Sequence, residues 1–162
     1  NFKIMKNLLI QIQQSVENFI KKDKKQYIQK LLIWTDKKIN IHFKDEITSV
    51  IFSKYQIYWI NFWVNIWTEF SWRRPALIIK NNSFIRWKDI IVLPITSQKE
   101  DKKYYKFDII VWKSDKNWLS QNSVIKLEQI KTVSKLRIWD YIWTLEDEYK
   151  EIIEQKIHKL FL

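Results

Sequence analysis

Not one of the chain's 162 residues is glycine, while ten are tryptophan. Ordinary usage of about 7% would put roughly eleven glycines in a chain this long. No other feature limits the fold so strongly, because glycine takes positive φ without steric cost. Many of the tryptophans stand where that freedom is wanted. Asn117-Trp118 occupies the place of an Asn-Gly hairpin turn, and Arg86-Trp87-Lys88-Asp89 separates two apolar runs. Two accounts compete. Either the indoles form a stacking surface for nucleic-acid bases, or the source reads UGA as glycine and the tryptophans stand for those codons. Stacking residues would gather on one face instead of replacing every glycine, which favours the second account. It places the tryptophans in turns or at strand ends, outside the core, with positive φ most expected at positions 67, 87, 112 and 118.

The net charge is +11, from 29 basic against 18 acidic side chains. Such a balance suits an anionic partner (nucleic acid, an acidic protein tail or a membrane surface), although a lysine-rich solvated surface gives the same sum. Cysteine is absent, which excludes disulfides, zinc–thiolate sites and cysteine nucleophiles. The two histidines, His42 and His158, are far apart in sequence, which argues against a paired-histidine ribonuclease. No apolar run approaches the length of a membrane span, and lysines and glutamines stand where a signal peptide would have its apolar core. The expected location is the cytoplasm. The first residue is Asn, as in a fragment of a longer chain.

Residues 2–22 set Met5, Leu8, Leu9, Ile12, Val16, Phe19 and Ile20 on one helical face. Lys21, Lys22, Lys24 and Lys25 suit a helix C-terminus. A shorter helix is expected around Tyr27, Leu31 and Leu32. The stripe reads as a membrane-surface or partner-binding arm, or as a helical pair packed on the rest of the chain or on a second copy. The second reading is the commoner fate of such a stripe. From about residue 38 the period falls to two, predicting strands at 39–43, 48–52, 56–62, 75–80, 90–96, 106–111, 123–130 and near 133–138. Thr144 with Asp147 three residues on resembles a capping box. It would open a closing helix with Leu145, Tyr149, Ile152, Ile153, Ile157 and Leu160 on its apolar face. The expected organisation is a helical extension over residues 1–50 and a mainly β domain, a small antiparallel barrel or sandwich, over 51–162.

Three apolar runs between 57 and 97 carry the chemistry, with Arg73-Arg74 against Pro75 and Thr96-Ser97 closing a strand. With glycine read at Trp63, Trp67 and Trp72, the segment becomes F-G-x-x-x-G-T-E-x-x-G-R-R-P-A-L-I-I, followed by P-I-T-S at 94–97. It resembles the opening of the MazF/PemK family of toxin endoribonucleases. Val124 to Val133, V-I-K-L-E-Q-I-K-T-V, is similar to that family's late strand. The resemblance spans about 55–160 and implies an SH3-like barrel with a C-terminal helix.

Elimination leaves little conventional hydrolytic machinery: no nucleophile elbow, no Walker loop and no His-x-x-x-His. Glu69, Asp89, Glu128 and Asp140 have no metal-ligand spacing and read as surface or ion-pair residues. The resemblance implies a cofactor-free, metal-independent reaction in which the RNA's own 2′-hydroxyl attacks. Arg74 matches the arginine of the R-P motif, Thr96 the hydroxyl of I-T, and Glu69 the acid of G-x-E. A guanidinium offers two parallel donors to phosphate oxygens and stabilises charge better than it gives up a proton. Without the resemblance, Arg74 would read as a partner of Glu69 and Thr96 as an ordinary strand residue. Arg73, Arg86, Lys88, Ser97 and Gln98 are candidates for contact with RNA backbone and bases. The implied protein is a homodimeric toxin that cuts single-stranded mRNA. An antitoxin with an acidic tail would silence it, and toxin and antitoxin together would bind DNA. The competing reading is a barrel that binds nucleic acid or protein without cutting.

Overall fold

The computed structural model describes residues 2–21, 24–43, 50–63, 71–80, 88–115, 117 and 119–162. The chain divides into two compact units, Asn1–Asp45 and Glu46–Leu162.

The first unit is a helical pair. Helix α1 covers Phe2–Lys21 and α2 covers Lys25–His42, and the two pack against each other. Helix α2 overruns the strand expected at 39–43. The alternation Ile39-Asn40-Ile41-His42 imitates a strand, but no glycine or proline stops the helix. Ile28 is buried and Leu31, Trp34 and Ile41 are half-buried, while Ile39 is exposed. Local hydrogen bonds support the last turns, with the Thr35 hydroxyl donating to the Leu31 carbonyl at 2.9 Å and Asn40 to Asp36 at 3.3 Å. Of the strand expected at 48–52, residues 48 and 49 lie outside the described residues and the rest are not in a strand.

The second unit is a seven-stranded, antiparallel sheet closed off by a helix. Its strands are β1 (Gln56–Asn61), β2 (Arg73–Lys80), β3 (Asp89–Ser97), β4 (Asp108–Val111), β5 (Ser123–Lys126), β6 (Lys131–Ser134) and β7 (Ile138–Thr144). Helix α3 follows at Asp147–Phe161. Strand order is β4-β5-β3-β2-β1-β7, with β6 also paired to β3. The expected small, bent, mainly β fold with flanking helices is what forms, although the terminal strands β4 and β7 do not pair with each other among the described residues.

Strand β3 is the bend. Asp89 to Val92 pair with β6, and Ile95 to Ser97 pair with β5. The strand expected at 123–130 stops at Lys126, where a 3₁₀ turn at Leu127–Gln129 leads into β6, and the one expected near 133–138 is divided between β6 and β7. Pro94 falls between the two pairings, where its missing N–H interrupts neither. A second 3₁₀ turn, Lys135–Arg137, divides β6 from β7.

Alternation sorts the apolar side chains to two faces. Ile57, Leu77, Leu93, Ile95, Ile125 and Leu127 pack with Leu145, Tyr149 and Ile153. Tyr58, Ile60, Ala76, Ile78, Ile90 and Val92 form the second cluster. Burying one such side chain fully is worth roughly 1.5–3 kcal/mol, so the two clusters dominate the unit's stability. Ile152, expected on the apolar face of α3, is exposed. The expected capping box does not form. Thr144 ends β7 and bonds Tyr141, Glu146 is the N-cap without a side-chain bond, and Asp147 pairs with Lys150.

Positive φ occurs at three described residues: Tyr55 (70°), Trp63 (65°) and Trp72 (71°). A residue with a Cβ pays about 1–2 kcal/mol there. Of the four positions singled out for positive φ, only Trp112 lies among the described residues; its side chain is exposed and its φ is not positive. Trp63 and Trp143 are buried, against the expectation that tryptophans stay out of the core.

Candidate functional site

Strands β2 and β3 set the site. Their register pairs Ala76 with Pro94 and Ile78 with Val92. That pairing ends at Ala76 and Pro94, and Arg74 and Thr96 each lie two residues beyond it on their own strands. Both side chains line one cavity of about 430 Å³, together with Arg73, Ser97, Gln121 and the indole of Trp72. Arg74 is half-buried, and its Nε donates to the Ser71 carbonyl at 2.8 Å. That bond fixes the side chain near its base, at the end of β2 where the strand leaves the sheet. Thr96 is half-buried and pairs with Val124 across the ladder.

Arg73 is held differently. One of its terminal nitrogens lies 2.7 Å from Asp140, and the guanidinium sits 5.3 Å and 5.2 Å from the ring centres of Trp59 and Trp139. Both partners of the ion pair are exposed, so it contributes no more than about 1 kcal/mol. It can exchange for an incoming anion at little cost.

The remaining sequence candidates separate. Ser97 lines the cavity. Gln98 follows β3, is half-buried, and its backbone N–H donates to the Asn122 carbonyl at 2.8 Å; its side chain does not line the cavity. Lys88 stands at the opposite end of β3, with its carbonyl accepting from the Lys135 N–H at 2.8 Å. At about 3.3 Å of rise per residue, the strand puts roughly 25 Å between Lys88 and Thr96. Lys88 therefore does not join the cavity. Glu69 and Arg86 lie outside the described residues. Asp140, weighed above as a metal ligand, pairs with Arg73 instead. Among the described residues no group of three or more histidine, aspartate or glutamate side chains could hold a metal ion.

The sequence reading missed the far wall. Leu119, Ser120, Gln121 and Ser123 line it, and the Gln121 amide donates to the Ser97 hydroxyl at 2.6 Å. Fully buried Asn117 ties this connection down. Its side-chain oxygen accepts from the Ser114 and Leu119 N–H groups at 3.0 and 3.3 Å, and its amide donates to the Trp112 carbonyl at 2.7 Å. Asparagine closes such loops because its amide imitates a backbone turn. The polar run Ser-Gln-Asn-Ser ahead of β5 is the signal that marks this wall in the sequence.

An arginine and a threonine on neighbouring strands, a second arginine and a wall rich in small polar groups line one groove, whose guanidinium groups suit an anion. In sequence and fold the chain belongs to the family described as PemK-like, MazF-like toxin of type II toxin–antitoxin system, whose model matches residues 53–161. Solved structures agree on the fold. The chain is similar to MazF of Deinococcus radiodurans, with 15% identity and a TM-score of 0.56, over 69% of this chain and 97% of that one. It is similar to the Mycobacterium tuberculosis toxin MazF-mt6, with 18% identity and a TM-score of 0.51, over 65% and 95% of the two chains. A mycobacterial endoribonuclease in complex with its cognate antitoxin is also similar, with 17% identity and a TM-score of 0.50, over 65% and 90%. No curated protein matches the chain in sequence.

Proposed function

We propose that this toxin is a sequence-specific endoribonuclease that cuts single-stranded RNA through the ribose 2′-hydroxyl, without a metal. The observation that supports this reading is the meeting of Arg74 and Thr96 in one cavity with Arg73 at its rim. In the reaction, the 2′-oxygen attacks the adjacent phosphorus and the 5′-oxygen of the next nucleotide leaves. The products are a 2′,3′-cyclic phosphate and a 5′-hydroxyl. The proton lost by the 2′-oxygen balances the one gained by the leaving oxygen. Charge grows on the two free phosphate oxygens, where the Arg74 fork would offer paired N–H donors. Thr96 would hold a phosphate oxygen or the attacking hydroxyl in place, and Glu69 is assigned either to orient Arg74 or to accept the 2′ proton. Arg73, Ser97 and Gln121 would contact the strand on either side of the cut; Gln98, Arg86 and Lys88 are left to contacts beyond the cavity.

A cytoplasmic homodimer, silenced by an antitoxin with an acidic tail, completes the proposal. The excess of 29 basic over 18 acidic side chains suits both such a tail and RNA. Among the described residues no helix is long and apolar enough to cross a membrane.

The test is cleavage of a single-stranded RNA pool by full-length protein and by Arg74→Ala. Loss of a transition-state donor costs about 10²–10³ in rate, so cleavage should fall at least that far while RNA binding persists. Thr96→Val should lower the rate with a smaller effect on binding. Unchanged cleavage by Arg74→Ala overturns the assignment, and binding without any cleavage by the parent identifies a barrel that only holds RNA.

A further inference from the structure

We propose that positions 63 and 72 are glycine in the protein as its source makes it, so that the groove over Arg74 and Thr96 is open where the Trp72 indole now stands. The composition supplies one observation: no glycine and ten tryptophans among 162 residues. The backbone supplies an independent one. Of the three positive-φ residues described, two are tryptophans, at 65° and 71°. They face each other at the base of the β1–β2 connection. The Trp72 N–H donates to the Trp63 carbonyl at 2.7 Å, and the Phe62 N–H to the Trp72 carbonyl at 2.9 Å. The sheet thus demands the left-handed region at both ends of one rung, and only glycine enters it without crowding a Cβ against the backbone.

Tyr55 shows what a genuine side chain at positive φ looks like here. Its N–H donates to the Ile78 carbonyl at 2.7 Å and its carbonyl accepts from Leu145 at 2.9 Å. Its hydroxyl donates to Glu154 at 2.6 Å, and Lys54 lies 4.9 Å from its ring centre. The whole residue ties α3 to the sheet. Trp72 is 42% exposed and forms one wall of the cavity, whereas Trp63 is buried, with Arg137 5.8 Å from its ring centre. The proposal is confined to 63 and 72, where the backbone makes the demand; Trp112 makes none.

The consequence for the groove rests on the reading of the cavity as an RNA site, whereas the identity of the two residues does not. The two are therefore tested apart. Tandem mass spectrometry of the full-length protein isolated from its source reads residues 63 and 72 directly. Glycine at both is the expected result, and tryptophan at both overturns the proposal. In parallel, the full chain as written is compared with Trp72→Gly, made in a host that reads UGG as tryptophan; Trp63 is left in place there because its side chain is buried and its removal would also cost core packing. Relief of one left-handed side chain should raise Tm by roughly 2–8 °C for a chain of this size. An equal or lower Tm contradicts the proposal. If glycine is found by mass and Trp72→Gly melts higher yet cuts no RNA, the cleavage reading fails and this inference stands.

Discussion

The two units meet the need for burial in opposite ways. In the β unit, strand alternation sends side chains to two clusters, and Ile57, Ile60, Leu77, Ile78, Leu93 and Ile125 are all at least 98% buried. In the helical unit, the apolar stripe of α1 stays largely in the open: Met5, Leu8, Leu9, Ile12 and Phe19 are exposed, and Ile28 of α2 is the one buried apolar residue among those described there. The stripe is as periodic as any strand. Periodicity therefore fixes the element that forms but not what covers it, and the family match begins at residue 53, in the unit whose core closes on itself.

The sharpest way to break that comparison is to cut into the closed core. Leu77 is fully buried and packs in the cluster beneath α3. Leu77→Ala should cost about 2–5 kcal/mol of unfolding free energy in a urea titration, through lost transfer energy and the cavity left behind. A cost under about 1 kcal/mol would mean the sheet repacks freely, and the contrast between the units would fail.

A smaller effect, dependent on pH, tests how α3 is fastened to the sheet. Glu154 accepts from the Tyr55 hydroxyl at 2.6 Å and pairs with Lys54 at 2.7 Å. The hydrogen bond from Lys54, with help from Tyr55, lowers the Glu154 pKa from its ordinary 4.5. The hydrogen bond to Glu154 raises Lys54 above 10.5 against a desolvation cost, and burial leads the upward shift of Tyr55. A depressed carboxylate stabilises the fold above its unfolded pKa and loses that contribution as pH falls through the folded value. A raised lysine stabilises below its unfolded pKa and loses its share as pH rises through the folded one. The cluster is thus at full strength between about pH 5 and 10, and weakens toward acid on the carboxylate side. Because about half of the Glu154 side chain is exposed, Glu154→Gln should cost only about 0.5–1 kcal/mol at pH 7. Melting curves of parent and variant should converge once the pH has fallen below the depressed Glu154 pKa. A gap that persists there would show that packing, not charge, does the fastening.

Much of the β unit was legible because its signals were local. Runs such as Ala76-Leu77-Ile78-Ile79 and Ile90-Ile91-Val92-Leu93 are strands by composition, and Arg74 and Thr96 could be named from the motifs around them. Their meeting in one cavity follows from how β2 and β3 pair side by side, which neither motif contains, and only the fold supplies it. Gln121 was illegible for the same reason: its partner Ser97 lies 24 residues away. The sequence also hid that Lys88, on the connector before β3, stands at the opposite end of that strand from Thr96. The strand expected at 39–43 shows the reverse error, since four residues of alternation weigh less than a helix already running with nothing to stop it. The left-handed pair at Trp63 and Trp72 was foreseeable in kind, from the missing glycines, though the positions marked as sharpest were others.

The smallest expected effect probes the open stripe itself. Leu8 lies mid-helix in α1 and is 51% exposed. Alanine has the higher helix propensity by a few tenths of a kcal/mol, and an exposed leucine loses little transfer energy when shortened. Leu8→Ala should therefore change the unfolding free energy of dilute protein by no more than about 0.5 kcal/mol, in either direction. The matched pair Leu8→Ala and Leu77→Ala uses the same chemistry in two settings, so the difference between them measures burial alone. If Leu8→Ala instead costs as much as Leu77→Ala, and the cost grows with protein concentration, a second copy covers the stripe in solution. A large cost independent of concentration would place the cover within the chain. Either result would replace the contrast between a closed and an open unit with one between two closed ones.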